Sequence, residues 1–243
     1  MRTILIILSL IIVTVLSIPL WLIELIIQLF NPRLSHSIAQ GIVTVVFKMW
    51  VWFSGTEYKV YGVEKVPKDE PVLYIANHRS FFDILIAYAY VPNLTSFVSK
   101  KSIGYIPCIG QWMYFLSCVF LDRDSIKSGM AMIKKTTSII KDKGYSIYIA
   151  PEGKRNYSDE LLPFKEGSFR IATITNCKIV PICYTNTEKI FEDHLPWVRK
   201  AKSVTMEFGD PIDISDMDRS EKKHLGVKCR DIIQKMYDER RAQ

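Results

Sequence analysis

The segment Asn77-His78-Arg79-Ser80-Phe81-Phe82-Asp83 sets an imidazole and a carboxylate five residues apart, directly after the apolar run Val72-Leu73-Tyr74-Ile75-Ala76. A neutral imidazole takes up a proton at near-neutral pH. A carboxylate bonded to its second nitrogen fixes the tautomer and stabilises the imidazolium that forms. The pair therefore reads as a general base and its orienting acid. The same pairing also occurs as a purely structural contact that satisfies a buried histidine, so the chemistry needs support from other residues. The chain contains no Gly-x-Ser-x-Gly elbow. The proton is accordingly expected to leave a substrate hydroxyl in direct transfer, not a protein serine.

Three further blocks follow. Phe120-Leu121-Asp122-Arg123 ends one apolar run, Ala150-Pro151-Glu152-Gly153-Lys154-Arg155 ends another, and Ile179-Val180-Pro181-Ile182 forms the last. In this order, over roughly Val72 to Tyr184, the four blocks resemble the glycerolipid acyltransferase family that includes 1-acyl-glycerol-3-phosphate acyltransferases. That family carries Asn-His-x-x-x-x-Asp, an apolar strand ending in Asp-Arg, Pro-Glu-Gly-Thr-Arg, and a segment centred on Val-Pro. Lys154 stands where the family usually has threonine.

The resemblance implies movement of a fatty acyl chain from an acyl thioester to the sn-2 hydroxyl of lysophosphatidic acid, giving phosphatidic acid in phospholipid biosynthesis. It makes His78 the base, Asp83 its partner, Arg123 and Arg155 phosphate binders, and Glu152 an organiser of the acceptor site. Acyl-coenzyme A and acyl carrier protein remain open as the donor substrate, and no separate cofactor or metal is expected. Glycerol 3-phosphate or another lysophospholipid is the alternative acceptor, and the cation at Lys154 bears on that choice. From a different class, a scaffold that binds anionic lipid without turnover would have no need of the His78 base.

In such a reaction the acceptor hydroxyl sits against His78 Nε2, and protonated His78 returns the proton to the departing thiolate. Base catalysis contributes about 10²- to 10⁴-fold, so orientation and oxyanion stabilisation must supply the remainder. Lys100 or Lys101 is a candidate helper, because the family has a lysine near this place; backbone amides near Gly153 are the other. A phosphomonoester calls for the fork-shaped guanidinium, which binds it bidentately. Glu152 either holds one of these arginines or binds an acceptor hydroxyl. Gly167, in Phe164-Lys165-Glu166-Gly167, is read as a turn residue.

To converge, these blocks need a common scaffold. Short apolar runs alternate with helical patterns after residue 71, which predicts an α/β fold with a largely parallel sheet flanked by helices. Strands are expected at Val72–Ala76, Thr95–Ser99, Phe115–Leu121, Tyr145–Ala150, Ile179–Tyr184 and Ser203–Phe208. Helices are expected at Phe81–Tyr90, Ser125–Lys143, Phe164–Thr175 and Ser220–Arg241. Every motif then falls at a strand end, where open α/β sheets bind ligands.

Residues 1–55 read as a separate membrane-embedded helical pair ahead of a catalytic domain at 56–243. Thr3 to Ile23 carries no charge, and a second apolar stretch, Ile38 to Phe53, follows the Asn31-Pro32 break. A span needs about 20 apolar residues, but Pro19 and Glu24 favour a two-helix hairpin. Trp50, Trp52 and Phe53 beside Lys48 suggest that the second helix lies at the headgroup level; burial against the catalytic domain is the alternative. The net charge of +7 suits anionic lipid headgroups. Nucleic acid is not expected as a partner, since no recognisable binding module occurs. Cys108, Cys118, Cys177, Cys183 and Cys229 form no Cys-x-x-Cys pair and read as reduced thiols. A membrane protein with its catalytic domain on the cytoplasmic face is the resulting expectation.

Overall fold

Alternation along Leu73-Tyr74-Ile75-Ala76 sends Leu73 and Ile75 into one apolar layer and Tyr74 and Ala76 into another, the pattern of a strand covered on both faces. In the computed structural model, which describes residues 1–242, the chain opens with helices α1 (Arg2–Phe30) and α2 (Pro32–Ser54). Strands β1 (Tyr58–Tyr61) and β2 (Leu73–Ala76), helix α3 (Phe81–Tyr90), strand β3 (Thr95–Lys100), helix α4 (Ile109–Phe115) and strand β4 (Val119–Leu121) follow. The second half comprises α5 (Ile126–Ser138), β5 (Ser146–Ile149), α6 (Arg170–Thr175), β6 (Ile179–Thr185), β7 (Val204–Phe208), α7 (Arg219–Lys223) and α8 (Leu225–Arg241).

The strands form one seven-stranded sheet in the order β1-β7-β6-β2-β5-β3-β4. Every pairing is parallel except β6 with β7. The expected α/β fold with a largely parallel sheet is therefore present. One face packs under α2, α3 and α4 through Tyr74, Phe97, Tyr148 and Tyr184. The other packs against α5, α6 and α8 through Leu73, Ile75, Ile147 and Ile149.

Four segments differ from the sequence expectation, each through a contact that is distant in sequence or a helix too short to read. The apolar run at Phe115–Leu121 is the end of α4 followed by β4; Ser117, at φ 51°, turns the chain between them. Within α4, Trp112 and Phe115 face inward at helical spacing. Phe164–Thr175 resolves into a 3₁₀ turn at Glu166–Ser168 and the short α6. The C-terminal helix breaks between α7 and α8, where Glu166 Oε2 accepts the Gly226 N–H at 3.1 Å. A Cβ on Gly226 would crowd the Glu166 carboxylate, so a larger residue there would push that side chain aside. Strand β1, not expected from the sequence, exists through its parallel pairing with β7.

Asn31 ends α1 and starts α2: its side chain accepts the Leu34 N–H at 3.0 Å, and Pro32 occupies the first turn. Helix α1 runs unbroken through Pro19. Its burial pattern is the reverse of a water-facing amphipathic helix. Ser9, Ser17 and Glu24 are buried, while Ile4, Ile7, Ile11, Val15, Leu22 and Ile26 are exposed. Each of these three side chains has a partner: Trp50 Nε1 donates to Ser9 at 2.9 Å, Trp112 Nε1 to Ser17 at 2.9 Å, and the Ser35 hydroxyl to Glu24 Oε2 at 2.6 Å, while Glu24 Oε1 has none among the described residues. Trp50 thus points inward, contrary to a headgroup placement, and Trp52 is the outward one at 75% exposure. Helix α2 packs along α3, and Thr44 donates to the Tyr88 carbonyl at 2.9 Å.

Both ends of the helical pair are tied to the sheet domain. At the turn, Arg33 Nη1 donates to the Lys143 carbonyl at 3.3 Å and the Tyr145 hydroxyl to the Pro32 carbonyl at 3.4 Å. At the open end, the Val198 N–H donates to Thr3 Oγ1 at 2.8 Å and the Glu57 N–H to the Ala201 carbonyl at 3.1 Å. The pair therefore lies along the domain and does not project from it.

Candidate active site

His78, the candidate base, is set by the end of one strand and the start of one helix. Asn77, the residue after β2, is clamped to β6: its Nδ2 donates to the Tyr184 carbonyl at 3.0 Å and its Oδ1 accepts the Tyr184 N–H at 2.8 Å. Three residues on, Ser80 caps α3, its hydroxyl accepting the Phe82 N–H at 3.0 Å. Asp83 occupies the third helical position and reaches back to the Ser80 N–H at 2.8 Å, closing a capping box. The five-residue separation of His78 and Asp83 follows from this geometry. The carboxylate that starts the helix is also the one that meets the imidazole.

His78 Nδ1 lies 2.9 Å from Asp83 Oδ2. The same carboxylate accepts the Arg79 N–H at 2.7 Å and, through Oδ1, the Thr187 hydroxyl at 2.6 Å. Asp83 is fully buried, whereas the His78 side chain keeps 16% exposure. With Nδ1–H donated to Asp83, the Nε2 lone pair is left for a substrate proton. The His78 ring also borders an open cavity.

That cavity, of about 300 Å³, runs between the sheet domain and the helical pair. Its apolar walls include Leu10 and Val13 of α1, Val43, Phe47 and Trp50 of α2, and Trp112 and Met113 of α4. At its polar end stand His78, Lys100, Arg123, Gly153, Arg155 and Lys165. Lys100 is brought in by the end of β3; Lys101 does not line the cavity. Desolvation at the cavity wall and then the charge of Arg155 lower Arg123 from the usual guanidinium range. Such crowding of like charges favours an anionic occupant.

Two expected contacts take a different form. Glu152 neither holds an arginine nor lines the cavity. Its Oε1 accepts the His78 N–H at 2.9 Å and its Oε2 the Leu162 N–H at 3.0 Å, so it organises the backbone that presents His78. Burial raises Glu152 above the usual carboxylate range, an effect its backbone donors oppose. The Gly153 N–H bonds to the Ala150 carbonyl at 3.2 Å, which removes it as a free oxyanion donor. Gly153 instead adopts φ 75°, and a Cβ there would meet Lys165 Nζ at 3.0 Å. Gly167 has open space around it and needs no glycine. Lys154, exposed and outside the cavity lining, leaves the acceptor end to its neighbour Arg155.

Thr187, Glu192 and Lys165 belong to the site and were not singled out from the sequence. Glu192 accepts from the Ser80 hydroxyl at 2.5 Å, the Phe81 N–H at 2.8 Å and Arg155 Nη1 at 2.9 Å. Lys165 had a sequence signal, since it sits in the tail of the third block. Thr187 and Glu192 had none, lying in 3₁₀ turns after β6 with no local pattern.

Comparison with known proteins follows the same outline. A family model described as Acyltransferase matches residues 57–185. The 1-acyl-sn-glycerol-3-phosphate acyltransferase of Haemophilus influenzae is 31% identical over 197 residues, covering 77% of this chain and 80% of the relative. Its namesake from Escherichia coli is 32% identical over 168 residues, covering 69% and 67%. Among solved structures, the 1-acyl-sn-glycerophosphate (LPA) acyltransferase PlsC from Thermotoga maritima superposes with a TM-score of 0.74 at 21% identity, over 100% of this chain and 99% of that one. This last likeness is one of fold.

Proposed function

The chain belongs to the acyltransferase family, and on that premise we propose that it transfers a fatty acyl chain from an acyl thioester to the sn-2 hydroxyl of lysophosphatidic acid, forming phosphatidic acid. The observation that carries this reading is the position of His78 in the cavity, between a cluster of four cations and an apolar channel walled by α1, α2 and α4. A lysophosphatidic acid acceptor has matching parts: a phosphomonoester, a hydroxyl one short step away, and a hydrocarbon tail.

Lys100, Arg123, Arg155 and Lys165 take the phosphate, the two arginines offering bidentate hydrogen bonds. This brings the acceptor hydroxyl to His78 Nε2. As the hydroxyl oxygen attacks the thioester carbonyl, its proton passes to Nε2, and Asp83 stabilises the imidazolium across Nδ1. Collapse of the tetrahedral intermediate breaks the C–S bond, and the imidazolium returns the proton to the thiolate. The acyl chain occupies the apolar channel throughout. Coenzyme A or acyl carrier protein carries the donor thioester.

The membrane role rests on α1. Its exposed face is apolar and its few polar side chains are turned inward, which suits hydrocarbon as the surrounding medium. Because the hairpin is tied to the sheet domain at both ends, it lies in a single leaflet, with the catalytic domain on the cytoplasmic face where the thioester donors are found. The channel then opens toward the lipid in which the acceptor resides.

The test is acyl transfer by the purified protein in detergent, offered lysophosphatidic acid, glycerol 3-phosphate and lysophosphatidylcholine. Selective use of lysophosphatidic acid, lost in His78→Ala, supports the reading. Preference for either other acceptor, or activity unchanged in His78→Ala, overturns it.

A further inference from the structure

Behind the cation cluster, one buried carboxylate touches both halves of the site. The Glu192 side chain is only 2% exposed. Its Oε1 accepts from Arg155 Nη1 at 2.9 Å and from the Phe81 N–H at 2.8 Å; its Oε2 accepts from the Ser80 hydroxyl at 2.5 Å. Phe81 and Ser80 form the start of α3, the helix whose third residue is Asp83. Arg155 comes from the loop after β5, is exposed, and lines the cavity. No other carboxylate pairs with Arg155 among the described residues.

An unanchored arginine on a loop samples many rotamers, and repulsion from Arg123 would drive it out of the cavity. A buried carboxylate that takes one of its N–H groups removes that freedom while leaving the remaining donors for a ligand. Burial raises Glu192 above the usual carboxylate range, and the contacts from Ser80, Phe81 and Arg155 are those of its ionised form.

We propose that Glu192 is the positioning residue for the acceptor phosphate: it aims Arg155 into the cavity and, through Ser80 and Phe81, ties that aim to the helix that orients His78. This inference rests on the acceptor reading given above. It assigns selectivity for a phosphomonoester to a residue that never touches the acceptor.

Glutamine at position 192 keeps an acceptor for the start of α3 and removes the charge that holds Arg155. Binding of lysophosphatidic acid and of uncharged 1-acylglycerol to the full-length protein in detergent micelles, followed by calorimetry, separates the two roles. Glu192→Gln is expected to weaken lysophosphatidic acid about tenfold and to leave 1-acylglycerol unchanged. The double variant with Arg155→Gln is expected to bind within about twofold of Arg155→Gln alone, because two residues acting as one unit are not additive. Should Glu192→Gln fail to fold, Glu192→Asp, which keeps the charge but shortens its reach, runs through the same cycle with a smaller loss. Losses that multiply in the double variant, or equal weakening of both lipids, overturn the inference. So does a change confined to thermal stability. Turnover by the wild-type protein is measured in parallel: its absence defeats the acceptor reading, while the binding cycle still decides Glu192.

Discussion

At the polar end of the cavity, Asp83 is held by four hydrogen-bond partners, His78 Nδ1, the Arg79 and Ser80 amides and the Thr187 hydroxyl. At the other end, Val43, Phe47 and Met113 contribute apolar surface to the same cavity. Directional contacts with short reach define the first region, and shape and area define the second. A change of one atom at the polar end reverses donors and acceptors, whereas a change of one methylene at the apolar end alters volume by a small increment. His78 is thereby held in a single geometry, whereas the apolar end is defined by volume alone.

The largest effect that would test this contrast is at Asp83. Asp83→Asn keeps the shape but presents an amide donor to groups that are themselves donors, and it frees His78 to adopt the other tautomer. Single-turnover acyl transfer is expected to fall by about 10²- to 10⁴-fold, with KM for lysophosphatidic acid little changed. A loss under tenfold would remove Asp83 from the mechanism.

Glu152 supplies a second test, because it shapes the site through the backbone N–H groups of His78 and Leu162. In Glu152→Gln the new NH₂ must face either the His78 or the Leu162 amide, leaving one buried donor unmet at a cost of about 1–3 kcal/mol. Thermal unfolding should show this loss of stability, and kcat should fall with it. A variant as stable as wild type would mean that the loop relaxes around the change.

Val43 tests the apolar end. Val43→Phe fills part of the channel, and transfer from a series of thioesters should shift toward shorter chains by a few-fold, with activity on the shortest donors retained. Loss of activity on every donor would show that the two ends are not independent.

The smallest expected effect is on pH dependence. Burial raises Glu192, so its folded form binds a proton more readily than its unfolded form. Its contribution to stability is thus fully present below the unfolded carboxylate value of about 4.3 and is lost as pH rises through the raised folded value. Relative to Glu192→Gln, the wild-type melting temperature should be most favourable near the acid end of this window and decline toward neutrality. A difference constant across that window would contradict the sign.

Much of the scaffold was legible because it obeys local rules. Short apolar runs marked β2, β5 and β6, and the break at Asn31-Pro32 marked the hairpin turn. The His78–Asp83 spacing is itself local, being that of a helix start. The short α4 escaped notice since its apolar residues run straight into β4, and β1 has too few residues to declare itself without β7 beside it. The inward turn of Trp50 was hidden for a related reason. An aromatic residue on an apolar helix carries no sign of which side meets Ser9.

By itself the sequence determined the pairing of His78 with Asp83, the cations that follow strands, and an apolar pair of helices at the start of the chain. These depend on residue type and on spacings within a few positions. The tertiary structure alone decided which cations face the cavity, that Glu152 grips backbone while Glu192 grips Arg155, and that the hairpin lies against the sheet domain as a wall of the channel. Those outcomes join residues roughly forty to nearly two hundred positions apart. Closing such separations is the work of the whole packed core, and no local pattern records which side chains it brings together.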